Sequence, residues 1–173
     1  MQFNHPFGVC VTRDDRVIVA DFRNNRLQEL PDLGRAGTAT LLGVGLLQIP
    51  FAVALTPAED ALVVRQEGGT NRVVVLARDG SAILRVLLTK DDVAYAHTGH
   101  YGLAVSRSGV MAAADCGQQK IMLRSVGGEW KRTVDAALLG GPLGSVRGAA
   151  WDSQERLWSC HRKDKCFVVI SSI

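Results

Sequence analysis

Short apolar runs separated by polar turns fill the chain from end to end. Residues 8–11 (GVCV) and 17–21 (VIVAD) are apolar, 13–16 (RDDR) and 23–25 (RNN) are polar, and 26–30 (RLQEL) alternates. Runs of this length, rich in Val and Ile and bounded by Asp, Asn and Gly, predict strands. The same unit returns three times. Gly8, Ala52, Gly102 and Gly148 hold one position, in PFGVCV, PFAVAL, HYGLAV and VRGAAW, at spacings of 44, 50 and 46 residues. Thirteen residues after each anchor stand Asp21, Arg65, Asp115 and His161, with no gap needed. A third strand follows in each copy, at 26–30, 72–76, 120–124 and 166–170. Copy two carries two extra residues before it, placed in the Gly68-Gly69 turn. A fourth strand is predicted at 38–42, 82–88 and 130–135.

Four strands per copy at a period of about 40–50 residues is the pattern of a propeller blade. The expected fold is all-β: one β-propeller domain of four blades of mainly four antiparallel strands, at about 6–44, 50–90, 100–138 and 146–173. Blades stack face to face, so inner strands are buried on both sides and read as unbroken apolar runs. Residues 62–64 (LVV) and 73–76 (VVVL) fit. Glycine at the anchor suits close approach of neighbouring chains, and the four anchors are expected to line the axis. The segment 41–47 (LLGVGLL) is not read as a helix, because Gly43 and Gly45 weaken one. A helical turn is expected at 91–96.

The first copy resembles an NHL repeat, with its Pro-x-Gly-Val start, an acid closing the second strand and an Asn-x-Arg third strand, here PFGV, VIVAD and NNRLQEL. Copy two keeps Pro50, Asn71 and Arg72 but has Arg65 for the acid. Copy three keeps Gly102 and Asp115, with His100 for the proline and Lys120 for the arginine; copy four keeps Gly148 and the apolar pattern. The resemblance implies a propeller, usually of six blades, that binds protein or, on a basic loop face, single-stranded RNA. A six-bladed ring needs on the order of 270 residues, so the chain's 173 residues are expected to belong to a larger ring. Missing blades, or self-association at open edges, would then cover the outer faces of blades one and four, where Val17, Ile18 and Trp158 are expected to be exposed.

Composition narrows the function only a little. Hydrophobic residues are 47% and the net charge is +3, which neither requires nor excludes nucleic acid. No apolar run approaches the ~18–20 residues of a membrane span, and the opening MQFNHPFG lacks a signal-peptide pattern. A cytoplasmic setting with reduced thiols is the expectation, including Cys160 and Cys166 across one hairpin.

Topology sorts the charges. Turns between second and third strands, and segments leading into first strands, share one face. It carries Arg23, Arg26, Arg65, Arg72, Lys120, Arg162, Lys163 and Lys165 against Asp21, Glu67, Asp115 and Asp164. The other face carries Arg13, Arg16, Arg107 and Arg156 against Asp14, Asp15, Glu59, Asp60, Asp152 and Glu155. A basic face attracts acidic partners or phosphates. The plainer reading of Arg26, Arg72 and Lys120 is that they brace their own blade turns, pairing with Asp21 and Asp115. Phe22 and Tyr101 are the aromatic residues best placed to stack on bases. Because such residues are few, a protein partner is expected ahead of RNA, with no cofactor and no membrane contact. The alternative is a metal-dependent lyase or lactonase with its site at the axis, since neutral imidazole suits Zn²⁺. Its candidate ligands are His5, His97, His100 and His161.

Overall fold

The computed structural model describes residues 2–31, 37–67, 72–89, 102–135, 138, 146–161 and 167–170, with backbone alone for Arg147 and for 161 and 167–170. Among the described residues fifteen strands form four antiparallel sheets, each a meander in chain order. Blade one is β1 (Pro6–Val11), β2 (Val17–Asp21), β3 (Arg26–Leu30) and β4 (Thr40–Leu42), with one 3-10 turn, Phe22–Asn24, between β2 and β3. Blade two is β5 (Pro50–Leu55), β6 (Ala61–Gln66), β7 (Arg72–Ala77) and β8 (Ile83–Leu88). Blade three is β9 (Leu103–Val105), β10 (Val110–Asp115), β11 (Lys120–Ser125) and β12 (Trp130–Val134). Blade four is β13 (Val146–Trp151), β14 (Leu157–His161) and β15 (Phe167–Ile170). After β4 the chain turns through Gly43 and Gly45, both at positive φ, rather than forming a helix. The predicted turn at 91–96 lies outside the described residues.

By its contacts the chain divides into two compact units, Met1–Thr89 and Lys90–Ile173. Each holds two blades built on the same plan. In the first unit, the forward face of blade one (Ile18, Ala20, Leu27, Leu42) packs on the rear face of blade two (Val53, Leu62, Val64, Val74, Leu76), with Leu47 closing one end. In the second, Ala112, Ala114, Ile121 and Leu123 pack with Val146 and Leu157, flanked by Ala149 and Trp151. Each fully buried Val or Leu contributes about 1.5–3 kcal/mol. Ile18 is wholly buried in this core, which corrects the expectation that it would be exposed. Residues of β2 alternate between faces; Ile18 takes the forward face, and Val17 and Val19 the rear.

The anchors set how closely neighbouring blades approach. A Cβ on Gly8 would lie 2.6 Å from Ala52 Cα, and one on Gly102 would lie 2.6 Å from Gly148 C. Anchor therefore meets anchor within each unit, and the obstruction is backbone.

Blade two differs from the gapless alignment. Pro6 pairs with Asp21 in blade one, but Pro50 pairs with Gln66, not Arg65, in blade two. The turn at 56–61 is one residue longer than its counterpart at 12–16, so one of the two extra residues sits there rather than in the Gly68-Gly69 turn. Gln66 is thus the counterpart of Asp21. Arg65, one residue earlier, points to the opposite face of the sheet and is 4% exposed.

The turns between first and second strands carry a recurring latch. Each places a residue at positive φ: Asp15, Glu59, Gly109 and Glu155. In the first unit the Glu59 carboxylate accepts the Arg13 amide at 3.1 and 3.2 Å, and Arg13 Nη2 donates to the Pro57 carbonyl. In the second, Glu155 accepts the Arg107 amide at 2.8 Å and the Ser108 hydroxyl at 2.5 Å. The Ser108 bond leads the donors that hold the Glu155 carboxyl below its ordinary value. The expected cost of Glu155→Gln is about 1 kcal/mol, read as a lower urea midpoint at pH 7. Because the folded carboxyl is the stronger acid, the difference from wild type should shrink as pH falls below about 4.

Candidate binding face of the first unit

In both blades of the first unit, pairing between the two inner strands slips just before the anchor: between Pro6 and Val9, and between Pro50 and Ala52. Such a bulge turns its extra residue out of the ladder. Those residues are Phe7 and Phe51, whose rings stack with centroids 4.5 Å apart. Phe22, from the 3-10 turn, closes edge-on at 5.0 Å from Phe7 and 6.0 Å from Phe51. Phe7 is 48% exposed, while Phe22 and Phe51 are half-buried. Aromatic pairs in these geometries add about 0.5–1.5 kcal/mol beyond area burial, so the trio forms a rigid apolar platform open to solvent.

Asp21 organises the segments that carry it. Its buried carboxylate accepts the Asn4 amide at 2.7 Å, Asn24 Nδ2 at 2.8 Å, Arg26 Nε at 3.0 Å and Gln28 Nε2 at 2.6 Å. Burial pushes this carboxyl up, but the four donors outweigh it and leave Asp21 below the ordinary carboxylate value. Arg26 is therefore committed to bracing, with a second, longer bond to the Gln2 carbonyl. Asn25, at φ 53°, accepts the Ile49 amide at 2.8 Å and ties blade one to blade two. The Arg23 backbone is held through its amide to the Asn4 carbonyl, but its side chain is exposed and no described residue pairs with it.

Blade two repeats the frame without its charge. Gln66 Oε1 accepts the Gln48 amide at 2.7 Å, as Asp21 accepts that of Asn4. Arg72 stands opposite Gln66 as Arg26 stands opposite Asp21. A neutral amide offers no ion pair, and among the described residues Arg72 Nε is buried without a hydrogen-bond partner.

The remaining candidates fall elsewhere. Lys120, in the second unit, stands opposite Asp115, whose carboxylate accepts the Gly117 and Gln118 amides at 2.9 and 3.0 Å. Tyr101, Arg162, Lys163, Lys165, His97 and His100 lie outside the described residues, and of His161 only the backbone is described. His5 is exposed at φ 53°, with Nδ1 3.0 Å from Asn4 Oδ1. Among the described residues no three His, Cys, Asp or Glu side chains gather as a metal site. Among the described residues Cys10, Cys116 and Cys160 form no disulfide, and burial pushes the Cys10 thiol up to about 12; Cys166 lies outside the described residues. Sequence reasoning singled out Phe22 and missed Phe7 and Phe51. The available signal was an aromatic residue just before the anchor in three copies: Phe7, Phe51 and Tyr101.

Residues 3–30 match the family model of the NHL repeat. No curated protein matches the chain by sequence. Among solved structures, the chain is similar to a gluconolactonase of Xanthomonas campestris, at 17% identity and a TM-score of 0.71, covering 96% of this chain and 56% of that one. It is similar to the Cps50 (Swd1) β-propeller domain of Myceliophteria thermophila, at 14% identity and a TM-score of 0.64, covering 97% and 54%. A third is a catalytically inactive virginiamycin B lyase from Staphylococcus aureus with quinupristin, at 13% identity and a TM-score of 0.62, covering 95% and 54%. The chain thus spans little more than half the length of these structures, and at such identities the likeness is one of fold. With four meander sheets, a repeating anchor and these neighbours, the chain is a β-propeller protein in which residues 3–30 match the NHL repeat.

Proposed function

We propose that the chain is a non-catalytic binding module whose first unit grips a protein partner through Phe7, Phe22, Phe51 and Arg23. The observation that carries this reading is the aromatic trio, a preorganised apolar platform beside an uncommitted guanidinium. Aromatic residues and arginine dominate the energetics of protein interfaces, because they combine large area with few rotamers to freeze. Arg72 adds a second cation at the same end of its sheet, opposite the neutral Gln66. The partner that fits is an apolar or aromatic anchor flanked by carboxylates. Ile49, a β-branched residue at φ 51° two positions from Phe51, places backbone strain beside the platform. The NHL match covers the segment that supplies Phe7, Phe22 and Arg23.

RNA ranks second because Phe7 and Phe51 are stacked on each other, which leaves few open ring faces for bases. Two assays test the ranking. Fluorescence anisotropy with a short single-stranded RNA is expected to show no saturable binding. Binding that weakens with salt and is lost in Arg23→Glu would put RNA in place of protein. Gluconolactone incubated with the chain and divalent ions is expected to hydrolyse at the background rate, and turnover would replace the binding module with an enzyme.

A further inference from the structure

The two blades of the first unit build the same corner with different chemistry. In blade one, Asp21 Oδ1 accepts the Asn4 amide at 2.7 Å, while Oδ2 accepts Arg26 Nε at 3.0 Å and Gln28 Nε2 at 2.6 Å. One carboxylate oxygen thus meets a backbone donor and the other meets side-chain donors. In blade two, register puts Gln66 in the place of Asp21, Arg72 in that of Arg26 and Val74 in that of Gln28. Gln66 Oε1 accepts the Gln48 amide at 2.7 Å, which repeats the first half of the arrangement. That bond also fixes the orientation of the side-chain amide, because a flipped Gln66 would set Nε2 against the Gln48 N–H. Nε2 is therefore the group that stands where Asp21 Oδ2 stands in blade one.

A donor in that place cannot serve Arg72, whose guanidinium has only donors of its own. Gln66 and Arg72 are cross-strand partners on one face of the sheet, with Cβ atoms about 4.5–5.5 Å apart. Gln66 is fully buried, and both Gln66 Nε2 and Arg72 Nε are buried atoms without a hydrogen-bond partner among the described residues. Buried donors left without an acceptor are costly, and here two neighbours call for one. The pair shares the face of Leu62, Val64, Val74 and Leu76, which packs on blade one, so it lies inside the first unit. Arg72 as a whole is half-buried and so reaches the surface. Pro50, cross-strand from Gln66, immediately precedes Phe51, which sets the pair beside the aromatic platform.

We propose that Gln66 and Arg72 form a carboxylate-binding site, in which one oxygen of a ligand carboxylate accepts both Gln66 Nε2 and Arg72 Nε. Asp21 Oδ2 takes the equivalent pair of donors, from Gln28 and Arg26, in blade one. An anion suits the site better than a neutral acceptor, because the guanidinium keeps its charge and its cross-strand partner is neutral. The natural ligand is an acidic side chain of the protein partner, an identification that rests on the reading of the platform as a protein-binding surface.

Formate is the probe, because it is the smallest carboxylate and needs no partner. Its titration into the chain is followed by the NMR signal of the Arg72 Nε–H, assigned by its loss in Arg72→Lys. The signal should move along a saturable curve, and chloride at equal ionic strength should not reproduce it. Gln66→Glu supplies the carboxylate from the chain itself and should weaken formate binding by about tenfold or more, with a thermal midpoint no lower than that of wild type. N-acetyl-aspartate amide, which carries only a side-chain carboxylate, should displace formate. A linear drift without saturation, the result if a buried water alone serves the two donors, overturns the proposal. So does a saturable shift that Gln66→Glu leaves intact. Partner retention plays no part in this titration, so the site and the platform stand or fall separately.

Discussion

Asp21→Ala is expected to destabilise the chain by about 3–5 kcal/mol, the range for breaking a buried charged cluster by removing one member. Typical stabilities are only about 5–15 kcal/mol, so the loss should be obvious in a denaturant titration. The cause is the set of donors left behind. Gln28 Nε2 is buried with Asp21 as its partner, and Arg26, Asn24 and the Asn4 amide lose their shared acceptor. Gln66→Ala in blade two removes only the bond to the Gln48 amide and should cost less, about 1–3 kcal/mol. The Asp21 carboxyl is a stronger acid folded than unfolded. Its contribution is therefore complete above the unfolded pKa of about 3.9 and is lost as pH falls through the lower folded value. Asp21→Asn should flatten this part of the acid transition. A cost below about 1 kcal/mol for Asp21→Ala would place it among weak surface pairs and contradict its organising role.

Gly102→Val carries the second large penalty. Its Cβ would fall on the backbone of Gly148 and Ala149 in the neighbouring blade. Backbone cannot move aside as the tip of a flexible side chain can, so blades three and four must separate. The cost belongs at the upper end of overpacking, about 3 kcal/mol. Gly8→Val meets the Ala52 backbone in the same way and should behave alike. Gly45 is the informative control. It sits at φ 77° with nothing within 4 Å of an added Cβ, so Gly45→Ala pays only left-handed strain, about 1–2 kcal/mol. Thermal unfolding of the three variants should separate steric from conformational demand. Equal losses at Gly45 and Gly102 would mean that the anchors do not set blade spacing.

The blades were legible because each repeats its apolar runs at one spacing from a small anchor. Blade two's register was not. Its second strand, ALVVRQ, is apolar over four residues and shows no alternation, so a shift of one residue leaves no trace in the pattern. Two single insertions on either side of it add up to the two residues assigned to the Gly68-Gly69 turn. Arg65 therefore resembled the counterpart of Asp21, while Gln66 held that place. Phe7 and Phe51 were hidden for another reason. In an unbroken ladder an apolar residue beside the anchor belongs to the core, and only the bulge turns it outward. Glu59 and Glu155 read as solvated acids, since their partners lie 46 and 48 residues away in the preceding blade.

Quantitative comparison of the proteins that co-purify with three forms of the chain tests the binding reading most directly. The forms are wild type, Phe7→Ser/Arg23→Glu on the aromatic platform, and Leu84→Ser on the exposed side of β8. Leu84→Ser should unfold at a denaturant concentration close to wild type, and the platform variant at a moderately lower one, because Phe7 gives up its two ring contacts; binding is therefore compared below both transitions. The account predicts a protein retained by wild type and Leu84→Ser and lost from the platform variant, with its recombinant form showing the same pattern in a direct titration. The same proteins bound with equal affinity by all three forms would contradict it.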